Sequence, residues 1–226
     1  MLLILPCAGG CAGNYHKYIL AIMNAVAYEY PGHWTRYDEP LVENAHEMVE
    51  TVFREVVDKN RSKSFELFGH SMGGMIAWSL AKKLIGEGFA VDHLYLAACC
   101  DPQTMPTFLT DIRDDLSIKS FIKSIRRTSD KIVSSDFFER YLLPPIRSDL
   151  GIVHSLINDE MNKDQEVLPL NLTCLYGLND PIVCKEDMMG WVKHVGGTFR
   201  IKGFEGDHFF LYDKENIIRI VDMIHK

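Results

Sequence analysis

Ten residues, Phe65-Glu66-Leu67-Phe68-Gly69-His70-Ser71-Met72-Gly73-Gly74, restrict the possible fold of this chain more than any other stretch. A β-prone run enters a turn with glycine two residues to either side of a serine, and an apolar pattern at helical spacing, Met75 to Leu84, leaves it before Gly86 and Gly88. A strand can double back against the helix that follows it only where the flanking positions carry no Cβ, and Gly69 and Gly73 meet that need. The spacing G-x-S-x-G therefore predicts strand, sharp turn and helix, with the Ser71 hydroxyl raised clear of the backbone. A hydroxyl so placed is a candidate nucleophile once a base can take its proton.

The surrounding pattern says what kind of sheet holds that turn. Leu2 to Pro6 is a short, continuous apolar run, as expected of a strand buried on both faces. Helical spacing over Tyr15 to Val26 predicts a first helix, and Ala27-Tyr28-Glu29-Tyr30, closed by Pro31-Gly32, a second strand. Residues 43–58 read as an amphipathic helix with Met48, Val52 and Val56 on one stripe. Further strands are predicted at His93 to Ala98, Leu172 to Gly177 and Thr198 to Ile201. Strands alternating with helices at this pitch imply right-handed βαβ units, hence an α/β fold with a mostly parallel sheet covered on both faces. Ligands of such sheets bind beyond the carboxyl ends of the strands.

The rhythm breaks between Asp101 and Asn171, too long an interval for a structureless loop, so residues 101–168 are expected to form a helical lid on a single domain spanning 1–226. Within it Ile118, Phe121, Ile122 and Ile125 share one helical arc, and Lys119, Lys123, Arg126 and Arg127 gather on the opposite one. That basic stripe is either a solvated face or a docking surface for an acidic partner. Leu143-Pro144-Pro145 is expected to break the insertion into pieces.

Composition closes off several classes. A chain of 226 residues that is 47% hydrophobic can bury one substantial core. A formal charge of -7 offers no field to attract phosphates, so nucleic acid is not expected as a partner. The amino-terminal apolar run lacks a basic flank and is too short to cross a membrane, which points to a cytoplasmic protein. The six cysteines form no CxxC, and most fall in or beside strands, so reduced core thiols are expected rather than a metal centre.

Two loops and an acid complete the candidate site. Cys7-Ala8-Gly9-Gly10-Cys11-Ala12-Gly13 is nearly bare backbone, and without GxGxxG or GxxxxGK[ST] it suits an oxyanion-binding loop better than a phosphate cradle. His208 follows the last strand and is the preferred base among nine histidines; His16, His33 and His154 are expected mainly at the surface. His70 is too close to Ser71 in sequence to fold back on it. The acid that orients His208 comes from Asp180 or Asp101, both just past a strand end, with Asp180 favoured.

With these residues in place the chain resembles the type II (external, editing) thioesterases that accompany nonribosomal peptide and polyketide synthetases. The resemblance runs nearly end to end through Pro6-x-Ala8-Gly9-Gly10, Pro31-Gly32-x-x-x-Arg36-x-x-Glu39-Pro40, Phe68-Gly69-His70-Ser71-Met72-Gly73, Leu143-Pro144-x-Ile146-Arg147-x-Asp149, Gly177-x-x-Asp180-Pro181 and His208-Phe209-Phe210-Leu211. It implies an α/β-hydrolase fold with a helical lid, Ser71 as nucleophile, His208 as base and then acid, Asp180 as orienting carboxylate, and the Ala8 and Met72 amides as oxyanion donors. The implied substrates are acyl thioesters on the phosphopantetheine arm of acyl or peptidyl carrier proteins, with no metal or bound cofactor and a monomeric enzyme. The rival readings are a small-molecule carboxylesterase, a medium-chain fatty acyl-carrier thioesterase, and a hydrolase-fold binding module without turnover. Cys7 stands where the family commonly has an aromatic, His33 where it often has Arg, and Asp207 where Gly is usual.

Overall fold

The computed structural model describes residues 1–59, 64–104, 109, 111–126, 128–161 and 166–225. Among the described residues six strands form one sheet: β1 (Leu2–Leu5), β2 (Ala25–Ala27), β3 (Ser64–His70), β4 (Ala90–Ala97), β5 (Asn171–Gly177) and β6 (Phe199–Phe204). Their order is β2-β1-β3-β4-β5-β6 and every pairing is parallel. The direction of travel reverses at β1, which pairs with β2 on one side and β3 on the other. Loops leaving β1 and β3 therefore diverge at one crevice, the place where parallel sheets bind ligands.

Alternation along the strands assigns the two faces. Leu3, Leu5, Leu67, Leu94 and Leu96 pack beneath α2 (Ala45–Lys59), α3 (Met72–Gly86) and α6 (Leu143–Met161). Leu2, Ile4, Phe68 and Tyr95 pack on the other face with α1 (His16–Ala21) and α7 (Lys214–Ile224). Period-two side chains on strands buried from both sides give this division directly.

Two expected boundaries move. The first helix ends at Ala21, because Asn24 takes a positive φ of 61° and turns the chain straight into β2. The second strand is Ala25–Ala27 and not Ala27–Tyr30: in the observed register Leu2 faces Ala25, which places Pro6 opposite Glu29, and proline has no N–H for the ladder.

Between β4 and β5 lie α4 (Asp115–Arg126), α5 (Asp130–Val133) and α6, with their own apolar cluster built on Ile118, Ile122, Phe138, Leu143, Ile146 and Leu150. The expected break at Pro144-Pro145 does not occur. A π-helical turn, Phe138–Leu142, leads directly into α6, and the Leu143 N–H donates five residues back to the Phe138 carbonyl. The wider turn precedes both prolines, which fall in the first turn of α6.

Candidate active site

The turn after β3 is as tight as the glycine spacing demands. Ser71 has φ 54° and ψ −119°, a conformation L-residues rarely adopt, and its N–H donates to the Ala97 carbonyl at 2.8 Å. A Cβ on Gly69 would lie 2.3 Å from the Gly73 carbonyl oxygen, and one on Gly73 2.1 Å from the Leu5 carbonyl oxygen. Backbone cannot yield at such distances, so both positions require glycine.

The loop after β6 brings His208 across to this turn. His208 Nε2 lies 3.0 Å from Ser71 Oγ, and Nδ1 lies 2.8 Å from Asp180 Oδ2 in the loop after β5. Asp180 Oδ1 accepts from the Ile182 N–H at 2.8 Å and the Val183 N–H at 3.3 Å. A carboxylate that receives three donors is an acceptor throughout, so Nδ1 of His208 carries a proton and the Nε2 lone pair faces the serine hydroxyl. Burial lowers the pKa of His208, with Asp180 pulling the other way, and leaves it below the ordinary histidine value.

His70 holds this histidine from behind. Its Nε2 donates to the His208 carbonyl at 2.9 Å, its Nδ1 accepts from Tyr15 OH at 2.9 Å, and that hydroxyl accepts from the Cys7 N–H at 3.3 Å. The chain of bonds fixes the His70 tautomer and ties the loop after β1 to the loop after β6. Sequence reasoning set His70 aside because it neighbours Ser71; the signal available was its position two residues beyond Phe68, on an inward face where a ring must find partners.

Asp101, the alternative acid, is fully buried but faces elsewhere. Its Oδ1 lies 3.2 Å from His194 Nε2 and its Oδ2 2.7 Å from Lys193 Nζ. Burial pushes its pKa up, but hydrogen bonds from His194 and Lys193 outweigh that and hold it below the usual carboxylate value. His33, expected at the surface, is 4% exposed. Asp207 accepts the Phe209 N–H at 2.9 Å and shapes the turn that carries His208.

Ala8 and Met72 flank Ser71 at the mouth of a cleft with about 700 Å³ of empty volume, its opening included. Met72 is the first residue of α3, so its N–H is among those without a partner inside the helix. The walls are apolar, with Met75, Leu109, Phe121, Ile146, Leu150 and Val153 contributed by α3 and the helices between β4 and β5. Cys7, Cys99 and Cys100 also line it; burial pushes the Cys100 thiol up to about 12, so it behaves as an apolar group. Among the described residues no cluster of His, Cys, Asp or Glu could hold a metal ion, and no helix is long and apolar enough to cross a membrane.

The basic stripe of α4 is partly neutralised. Lys119 pairs with Glu139 and Lys123 with Asp130. Arg127 and the side chain of Arg126 lie outside the described residues.

A parallel sheet that presents a serine on a strained strand-to-helix turn, with a histidine and an aspartate delivered from later strand ends, defines an α/β-hydrolase. Comparison with known proteins narrows this: the thioesterase-domain model matches residues 1–226, and the chain belongs to the thioesterase family. It is 30% identical to thioesterase TesA of Mycobacterium marinum over 93% of this chain and 84% of that protein. It is 27% identical to thioesterase PikA5 of Streptomyces venezuelae, covering 94% of this chain and 76% of that one. The structure of BorB, a type II thioesterase from the borrelidin biosynthetic cluster, superposes with a TM-score of 0.82 at 26% identity, covering 99% of this chain and 90% of that one.

Proposed function

We propose that this thioesterase releases acyl groups, including aberrant or stalled ones, from the phosphopantetheine arm of carrier proteins in nonribosomal peptide or polyketide assembly, through an acyl-enzyme on Ser71. The observation that carries the mechanism is the continuous line from Ser71 Oγ through His208 to Asp180, at 3.0 and 2.8 Å. As Ser71 Oγ bonds to the thioester carbonyl carbon, its proton passes to His208 Nε2. The carbonyl oxygen takes the displaced electron pair and receives the Ala8 and Met72 N–H groups. Removing one such donor typically costs about 10²–10³ in rate. Collapse of the adduct breaks the C–S bond. A thiol of pKa ~8.5 is a good leaving group and takes the proton back from His208 with little assistance. Water then adds to the acyl-enzyme with His208 as base, and the carboxylic acid leaves as Ser71 regains its proton.

Helices α4, α5 and α6 act as the lid, since their apolar cluster is continuous with the outer wall of the cleft. The long, narrow arm of a carrier suits a serine set in an apolar cleft better than a bulky ester does. We assign carrier docking to Lys119 and Lys123 of α4, together with Arg126 and Arg127 from the same basic run of the sequence. The two visible ion pairs are partly exposed, worth about 0–1 kcal/mol each, and a carrier's carboxylates can replace those partners.

The test is a side-by-side assay on acyl-carrier protein, acyl-CoA and a p-nitrophenyl ester. Preference for the carrier, at least tenfold in kcat/KM, is expected; equal or better turnover of the free ester would favour a carboxylesterase. Exchanging Lys119 and Lys123 for Glu should raise KM for the carrier substrate and spare an acyl-N-acetylcysteamine. An unchanged KM removes the stripe from the docking surface.

A further inference from the structure

The oxyanion loop is fastened to the lid by a buried pair that the reaction itself does not use. Asp149, on α6, is fully buried, and its Oδ2 accepts the Gly9 N–H at 2.7 Å and lies 3.0 Å from His33 Nε2. The other nitrogen of that ring, Nδ1, lies 3.0 Å from the Pro31 carbonyl, which can only accept, so Nδ1 carries a hydrogen. Nε2 and Oδ2 both bear lone pairs, and a separation of 3.0 Å is attractive only with a proton between them. The pair therefore holds one bridging proton whichever atom formally carries it. The second carboxylate oxygen, Oδ1, is buried with no hydrogen-bond partner among the described residues, so Asp149 has little else to offset its charge.

One turn earlier on α6, Ile146 meets the same loop residue. A Cβ on Gly9, whose φ is +63°, would fall 2.6 Å from Ile146 Cγ1, and Ile146 also lines the acyl cleft. Gly9 is thus held by its N–H and by its Cα surface from a single lid helix. Its neighbour Ala8 carries the amide assigned above to the oxyanion.

We propose that His33 and Asp149 are a proton-dependent positioning pair that sets the oxyanion loop against the lid, so that turnover falls on the alkaline side when the bridging proton is lost. This inference rests on the assignment of Ala8 as an oxyanion donor. The charged and titratable groups around His33 are Asp149 from α6, Glu29 and Tyr30 from the segment after β2, and Arg36 on its own loop, where Glu39 and Glu55 already engage the guanidinium. Burial alone would lower the pKa of His33, but the Asp149 hydrogen bond and charge, with help from the Pro31 carbonyl, raise it above the ordinary histidine value. A raised value gives stabilisation that is complete below the unfolded value of ~6.5 and is lost as pH rises through the folded one. Both limbs then differ in origin: the acid limb belongs to His208 and the alkaline limb to the His33–Asp149 pair.

The experiment follows hydrolysis of an acyl-N-acetylcysteamine by the full chain from pH 5 to 9, for the parent and for His33→Gln, Asp149→Asn and Ser71→Ala. The parent should lose about tenfold in kcat across the alkaline limb with KM unchanged, because the loop meets the oxyanion and not the ground-state acyl chain. A glutamine amide in place of the His33 ring can donate to Asp149 but cannot titrate, so H33Q should show a flat alkaline side at a plateau within about tenfold of the parent. D149N should lose about 10–100-fold in kcat at all pH values. In parallel, the Gly9 amide proton resonance of the parent should titrate with the midpoint of the kcat limb, a readout that holds even where a variant fails to fold. An H33Q profile that keeps the alkaline limb, or a Gly9 resonance that does not move with it, overturns the proposal. Turnover surviving in S71A overturns the acyl-enzyme reading instead, so the two failures are distinct.

Discussion

Replacing Asp180 by Asn tests the proposed mechanism most directly, because the surrounding backbone decides how the amide must sit. In the parent, Oδ1 receives the Ile182 and Val183 N–H groups and Oδ2 receives His208 Nδ1–H at 2.8 Å. If the introduced asparagine keeps its oxygen on the two backbone donors, its NH₂ faces Nδ1, which must then present a lone pair. The proton moves to Nε2, which points at Ser71 Oγ and can no longer accept from it. The opposite orientation sets NH₂ against two backbone N–H groups and leaves both unpaired, at about 1–3 kcal/mol each. Neither arrangement offers a charge to offset the imidazolium. The expected loss is about 10³–10⁴ in kcat, or about 4–5.5 kcal/mol, with KM within about threefold. Steady-state release of N-acetylcysteamine, followed with a thiol reagent at pH 7.5, measures it. A D180N enzyme within tenfold of the parent would refute the reasoning.

Three further outcomes follow from the same geometry. Asp101→Asn should leave kcat within about threefold but lower stability by about 1–3 kcal/mol, seen as a lower urea midpoint at unchanged slope, because Asp101 supports Lys193 and His194 and not His208. Since His208 must be neutral to act as base and burial lowers its pKa, kcat/KM should fall on acidification only below the ordinary histidine value of ~6.5; a midpoint above it would contradict the burial. The apolar walls of the cleft should reward each added acyl methylene by about 0.8 kcal/mol, roughly fourfold in kcat/KM, until the space is filled, and a flat response across straight-chain acyl-N-acetylcysteamines would show that the chain lies elsewhere.

Much of this architecture was legible because its causes are local. The apolar arc of Ile118, Phe121, Ile122 and Ile125 reads as a helix packed on one side, and α4 packs that way. The glycines at 69 and 73 announce their turn because no other residue fits it. Less was legible where neighbours decide. The end of β2 depends on Pro6 standing opposite Glu29, a fact of register and not of the β2 sequence. The prolines at 144 and 145 predict a break in isolation, but a preceding π-turn accommodates both.

The sequence by itself determined an α/β chain with one crevice at its strand ends, and placed Ser71 and His208 there, because hydrophobic period and turn chemistry act over a few residues. Only the tertiary structure decided the partners. It set His70 under the backbone of His208, 138 residues away, and His33 against Asp149, 116 residues away, and it gave Asp101 a different histidine from the one Asp180 meets. Local pattern fixes that a polar group will be buried and so must be bonded, but which group satisfies it depends on how distant elements pack.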